Sequence, residues 1–239
     1  MRRLATGVLL VSLAGAGAAA AAIGFGGLDS TTELAMRAGP GRDRVAHKML
    51  ELRARLGEVA AQRLLGGLDL DAGDSAAGLR WTRAAADAGD PAAQTRLGQA
   101  LLGAEHGLQA DPSAAQRLFE RAAGQGHAGA AYRLGVLLHR NPATAAQAAV
   151  WLEQAAAREH PAAMFMLANA YRDADGVPRD AVRALALYRQ AAQLDYPPAA
   201  QELAMAYQQG GLGLPQDAAQ FAQQLAETAH ALKHPPVLP

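Results

Sequence analysis

The 239 residues suit one or two compact domains, and 22 basic residues set against 22 acidic ones leave no overall field pointing to nucleic acid or acidic lipid. There is no cysteine, which excludes disulfides, thiolate metal sites and cysteine nucleophiles. The chain is 51% hydrophobic but only 5% aromatic, so its apolar content is mostly Ala and Leu, the strongest helix formers, and a helical protein is expected.

Read from its start, the sequence passes from "MRR" into a stretch without a charge from Leu4 to Leu28. A basic start, an apolar middle and Ala-x-Ala choices around Ala18 to Ala22 spell a secretory signal peptide. The 25 uncharged residues are equally long enough for a membrane anchor, so residues 1–29 are expected to be one or the other. Either reading puts the rest of the chain in the periplasm, freely or held to the inner membrane. Residues 30–41 combine hydroxyls with Gly-Pro-Gly and read as a linker. From Arg42 the apolar residues Val45, Met49, Leu52 and Leu56 follow a helical spacing. A capping helix over 42–58 that covers the first hairpin is expected; a partner-binding helix is the alternative.

Beyond it the chain repeats. "GEVAAQRLLG" (Gly57–Gly66) matches "GDPAAQTRLG" (Gly89–Gly98) and "GHAGAAYRLG" (Gly126–Gly135), and more loosely "EHPAAMFMLA" and "YPPAAQELA". The key leucines fall at Leu65, Leu97, Leu134, Leu167 and Leu203. A second marker runs in step: small pairs at Ala84-Ala85, Ala122-Ala123, Ala155-Ala156 and Ala191-Ala192, degraded at Thr228-Ala229. Trp81, Phe119, Leu152, Tyr188 and Leu225 stand three residues before them. Two markers sharing one period in the mid-thirties imply stacked helical hairpins over 59–234, followed by a loose tail at 235–239. The Gly or Ala after each leucine, like the Ala pair, removes bulk where helices cross. Gly57, Gly89 and Gly126 supply left-handed helix ends, and Pro91, Pro161 and Pro197 begin new helices. Between the two helices of a unit, "GLQAD", "GVPRD" and "GLPQD" each offer a turn glycine and an aspartate to cap the second helix.

This constellation resembles the Sel-one-like repeat, a relative of the tetratricopeptide repeat. The unit from Ala163 carries it most fully: Leu167-Ala168, Tyr171, Gly176-Val177, Asp180, Leu187-Tyr188 and Ala191-Ala192. The unit from Ala130 has "HRNPAT" in place of the Gly-Val-x-x-Asp turn and should be tighter, as should the short first unit. The fold class implied is all-α: a right-handed α-solenoid of about five helical-hairpin repeats with an N-terminal capping helix. Some members pair a disulfide with each repeat; this chain cannot, and nothing attributed to that branch carries over.

Candidate chemistry is sparse. His127 and His160 stand where Asp90 does, in the turn between units, and read as exposed turn residues; His106 and His139 end first helices. His230 and His234 have a metal-compatible spacing but no carboxylate-rich company, so neither a metal nor a cofactor is expected. No catalytic motif stands in its required context, and the chain is not expected to be an enzyme. In tetratricopeptide-like stacks the first helices line a groove. The resemblance places there Thr95 and Gln99; Tyr132, His139 and Arg140; Phe165, Asn169, Arg172 and Asp173; and Gln201, Met205 and Gln208. Tyr132 and Phe165 read equally well as partner anchors and as packing within the stack. Exported bacterial members act as scaffolds or regulators of envelope complexes, and some as immunity proteins against secreted toxins. The expectation is therefore an exported protein–protein interaction module that takes a partner protein, an envelope component or a secreted effector, in its groove. It would bind no nucleic acid, and would touch a membrane only through the N-terminal segment if that is uncleaved. An immunity role alone is one alternative. A cell-envelope hydrolase with an unrecognised active site, its turnover dependent on a groove histidine such as His139, is another.

Overall fold

The computed structural model describes residues 30–39 and 43–233, with side chains to residue 226. The signal or anchor segment at 1–29, the tail at 235–239 and His234 lie outside the described residues, as does the side chain of His230. Twelve α-helices and no strand occur among the described residues. They fall into two compact units that meet between Ala88 and Gly89.

The first unit holds α1 (Thr31–Ala38), α2 (Arg44–Arg55), α3 (Val59–Asp71) and α4 (Ser75–Asp87). Helix α1 corrects the reading of residues 30–41 as a linker. Ser30 accepts a hydrogen bond from the Glu33 N–H at 3.1 Å, and Leu34 and Ala35 are buried. A helix of this length is marginal alone and forms here because it has a face to bury. Asp43 caps α2 through the N–H groups of Val45 and Ala46 at 2.8 and 3.0 Å. Its carboxyl is held below the usual range by the Ala46 N–H and by the Arg37 guanidinium. Helix α2 packs on α1 and α3, but of the stripe that the sequence offered for it Met49 is the member partly buried against this core. Ala46, Leu50 and Ala54 are buried against Leu34, Leu65 and Trp81, whereas Val45, Leu52 and Leu56 are 68%, 49% and 61% exposed.

The second unit stacks four hairpins: α5 (Pro91–Gly103) with α6 (Pro112–Gly124), α7 (Ala128–His139) with α8 (Ala145–Ala156), α9 (Pro161–Asp173) with α10 (Ala181–Gln193), and α11 (Pro197–Gln209) with α12 (Ala218–Lys233). Each first helix packs on its own second helix, and each second helix on the next first helix. The aspartate caps form as the motifs imply. Asp111 accepts from Ala114, Asp180 from Val182 and Arg183, and Asp217 from Ala219 and Gln220, all at 2.8–3.1 Å. Behind each cap one backbone bond recurs, from Asp111 to Leu101, Asp180 to Tyr171 and Asp217 to Tyr207, at 2.9–3.0 Å. The "HRNPAT" turn is tighter: Asn141 caps a one-turn 3-10 helix (Pro142–Thr144) that runs straight into α8.

The small residues stand where helices cross. A methyl on Gly98 would lie 2.7 Å from the Phe119 ring, and one on Gly135 would lie 2.7 Å from Leu152 Cγ. In α3 the same position, Gly66, faces Thr82 rather than Trp81. The second marker therefore slips by one residue in the first repeat: Thr82 is the counterpart of Phe119, and Ala85-Ala86 is the buried pair. Trp81 turns instead toward α1 and α2 as part of the first unit's core.

Candidate partner-binding face and its family

The ends of the first helices in the second unit are joined by a ladder that the sequence did not announce. The residue two before each key leucine meets the residue that caps the next first helix. Thr95 Oγ1 lies 3.2 Å from His127 Nδ1. Tyr132 stacks on His160 with ring centroids 4.6 Å apart and planes at 23°. Phe165 packs against Tyr196 at 5.6 Å. Of the two roles open to Tyr132 and Phe165, packing within the stack is visible: both are half-buried in ring contacts between repeats. Thr95 is also corrected. It is buried, and its hydroxyl is bonded to the Pro91 carbonyl at 2.7 Å, so it presents nothing to a partner.

His127 and His160 are not exposed turn residues either. Each takes the place of an N-capping aspartate, its Nδ1 accepting from the Ala130 N–H at 3.1 Å and the Ala163 N–H at 3.3 Å. An unprotonated Nδ1 is needed for that. Burial pushes the His127 imidazole below its ordinary range, and burial together with the Arg133 charge does the same for His160. His160 is 2% exposed.

Further along the same helices lies a polar cluster. The Arg172 guanidinium forks onto both carboxylate oxygens of Asp173 at 2.9 Å and also reaches Glu202 Oε2 and the Tyr188 hydroxyl at 2.9 Å. The Tyr188 hydroxyl in turn donates a hydrogen bond to Asn169 Oδ1. Hydrogen bonds to Arg172 hold the Asp173 carboxyl below its usual range, and burial pushes the Tyr188 phenol up to about 12. Asn169 and Arg172, expected to face a partner, are thus committed in part to joining α9, α10 and α11. Sequence reasoning missed Tyr188 and Glu202 here, because nothing local marks a residue whose partner stands 16 or 30 positions away.

What the stack leaves open is narrower than the predicted groove. Gln99 is half-buried and, with its amide oxygen turned toward Arg133, accepts from that guanidinium at 2.6 and 2.7 Å. His139 and Arg140 are exposed, His139 standing 3.6 Å from Asp175. Asp173, Gln201, Met205 and Gln208 are also exposed. Arg172, Glu202 and Met205 line a cleft of about 340 Å³ together with Arg179 and Leu212. Gln201 occupies the ladder position of the last repeat, with no further first helix to meet among the described residues. Among those residues, too, no group of three or more His, Asp or Glu is placed to hold a metal ion, and no helix is long and apolar enough to cross a membrane.

The Sel1 repeat model matches five times in succession, over residues 53–90, 91–127, 128–160, 161–196 and 197–232. The chain belongs to the Sel1 repeat family. It is thus a member of a class of protein–protein interaction modules, and its fold has solved counterparts. The Sel1 repeat protein of Oxalobacter formigenes is 24% identical, with a TM-score of 0.69 over 77% of this chain and 76% of its own. Two immunity proteins of Pseudomonas aeruginosa are more distant. Pa5087 is 15% identical at a TM-score of 0.56, covering 87% of this chain and 83% of its own; PA5088 is 17% identical at 0.57, covering 87% and 82%. No curated protein matches in sequence.

Proposed function

We propose that this Sel1 repeat chain is an exported adaptor that holds one partner protein on the loop-side ends of its first helices, in the second unit. The observation that carries this reading is the cleft beside Arg172. Its lining sets the paired Arg172 and Glu202 beside Met205, an unbranched apolar side chain left 41% accessible. A flexible thioether beside an ion pair already fixed in place is a suitable anchor point for a partner's side chain. Export rests on the N-terminal segment, with its basic start and uncharged run.

Affinity capture from periplasmic extract with the tagged chain tests the proposal. One stoichiometric partner is expected, weakened at least ~tenfold by Met205→Glu, since a charge placed in a partner's contact costs on the order of 2 kcal/mol. Met205 is exposed, so that variant should fold normally. Failure to capture any partner, or a partner indifferent to Met205→Glu and Gln208→Glu together, would overturn it.

A second reading, immunity against a secreted effector, is favoured by the likeness in fold to the two Pseudomonas immunity proteins. In that case deletion of the gene sensitises cells to one co-resident effector, and the captured partner is that effector. Insensitivity to every such effector leaves the envelope scaffold.

A further inference from the structure

Among the described residues of the first unit, three of the four exposed large apolar side chains stand on the outward face of α2. At 100° per residue Val45, Met49, Leu52 and Leu56 share one narrow stripe along the helix. Val45, Leu52 and Leu56 are half to two-thirds exposed, Met49 is partly buried against the core, and Ala46, Leu50 and Ala54 bury the opposite side. Arg44, Lys48 and Arg55, all exposed, run along one margin of that stripe; Arg55 is paired with Glu51 at 2.6 Å. Met36 on α1 adds a further apolar side chain, 71% exposed. The neutral total charge hides a local imbalance, for from Ser30 to Gly57 the chain carries six basic residues and three acidic ones.

The segment that precedes this face narrows what covers it. The uncharged run Leu4–Leu28 ends two residues before Ser30, the cap of α1, and α1 spans only eight residues, about 12 Å. If that run is held in a bilayer, α2 cannot stand far from the lipid surface. A helix with an apolar stripe, basic margins and a tether of that length has the make-up of an interfacial helix. We infer that the Val45–Leu52–Leu56 face of α2 lies on an anionic lipid surface, apolar side chains at the acyl boundary and Arg44, Lys48 and Arg55 among the headgroups. The contact fixes the first unit against the membrane and is independent of the adaptor reading for the second.

The absence of cysteine makes the test direct. An environment-sensitive probe is placed on Leu52→Cys in the full chain, with Val182→Cys on α10, at a position 79% exposed, as reference. Both proteins are reconstituted in vesicles of phosphatidylethanolamine and phosphatidylglycerol carrying a lipid-borne quencher. The Leu52 probe is expected to be quenched ~threefold or more beyond the Val182 probe, with at least about half of that excess lost on Arg44→Glu plus Lys48→Glu. These positions are exposed, so circular dichroism should show unchanged helix; if Leu52→Cys perturbs it, Leu56→Cys replaces it. Equal quenching of the two probes overturns the inference. So does a Leu52 probe shielded from an aqueous quencher without any vesicle, which would place a second copy or the chain's own N-terminal segment on the stripe.

Discussion

Substituting Gly66 with alanine tests the physical reason for the small residues most severely. A methyl there would stand 2.6 Å from Thr82 Oγ1, 2.8 Å from the Thr82 backbone nitrogen and 3.2 Å from the Gly78 carbonyl. Ordinary carbon contacts begin near ~3.5 Å, so α4 has to move away by roughly 0.7 Å or the two helices must tilt apart. Two of these three obstacles are backbone and cannot rotate aside, which puts the overpacking cost near the upper part of its usual range, about 3 kcal/mol. Against it, alanine gains about 1 kcal/mol in helix propensity over a mid-helix glycine. The net expectation is a loss of about 2 kcal/mol, or roughly 4–8 °C in the thermal midpoint of a chain this size.

The two tryptophans separate the units. Trp81 is buried in the first unit's core and Trp151 lies in α8. Urea unfolding followed by Trp81 emission in a Trp151→Phe background therefore reads the affected unit. The reciprocal change makes the comparison sharp. At the same repeat position α9 carries Ala168, fully buried, so Ala168→Gly should also destabilise, by about 2 kcal/mol from lost propensity and a lost methyl contact. If Gly66→Ala is neutral or stabilising, helix proximity does not explain the glycine, and propensity alone governs the site.

Three further outcomes follow from named contacts. Glu159 ends α8 at φ +58, where the first repeats use glycine, and Glu159→Gly should raise stability by about 0.5–1 kcal/mol in thermal unfolding; a decrease would mean that the side chain itself matters. Tyr188 keeps its proton to about 12 in the native state, whereas the unfolded phenol loses it near ~10, so stability should fall between those values by up to ~1.4 kcal/mol per pH unit. Tyr188→Phe should remove part of that slope in urea midpoints, Tyr196 being raised as well, and an unchanged slope would refute the assignment. His127 and His160 are held neutral in the fold, so as pH falls below ~6.5 the unfolded chain takes up protons first and stability is lost; His127→Asn plus His160→Asn, which keep a capping oxygen, should flatten that decline.

The sequence disclosed the hairpins because their punctuation is local. A left-handed glycine, a first-turn proline and an aspartate cap each act within a few residues of where they stand. Its errors were nonlocal. The α2 pattern holds two stripes, one of bulky side chains and one of Ala46, Leu50 and Ala54; periodicity cannot say which is buried. Close helix packing drew in the side where two alanines flank Leu50 and left Val45, Leu52 and Leu56 of the other stripe outside. The slip from Thr82 to Trp81 has the same origin, since a large indole looks like core wherever it falls.

The early turns of the first helices are taken up by the stack for a reason that also narrows the candidate face. Each first helix has its early turns beside the cap of the next first helix, so any residue there, whether Thr95, Tyr132 or Phe165, is drawn into holding the stack together. Positions later in the helix meet no such cap. They border the turns within each unit, and those turns are what differ among repeats: a 3-10 turn after α7, and Gly-Val-Pro-Arg-Asp and Gly-Leu-Pro-Gln-Asp after α9 and α11. Early positions are therefore constrained by every neighbour alike, while late ones such as His139, Met205 and Gln208 can vary with little effect on the stack. Specificity for one partner is most freely built where the stack does not already dictate the side chain, which is why the proposed adaptor surface is drawn at the loop-side ends of α7, α9 and α11.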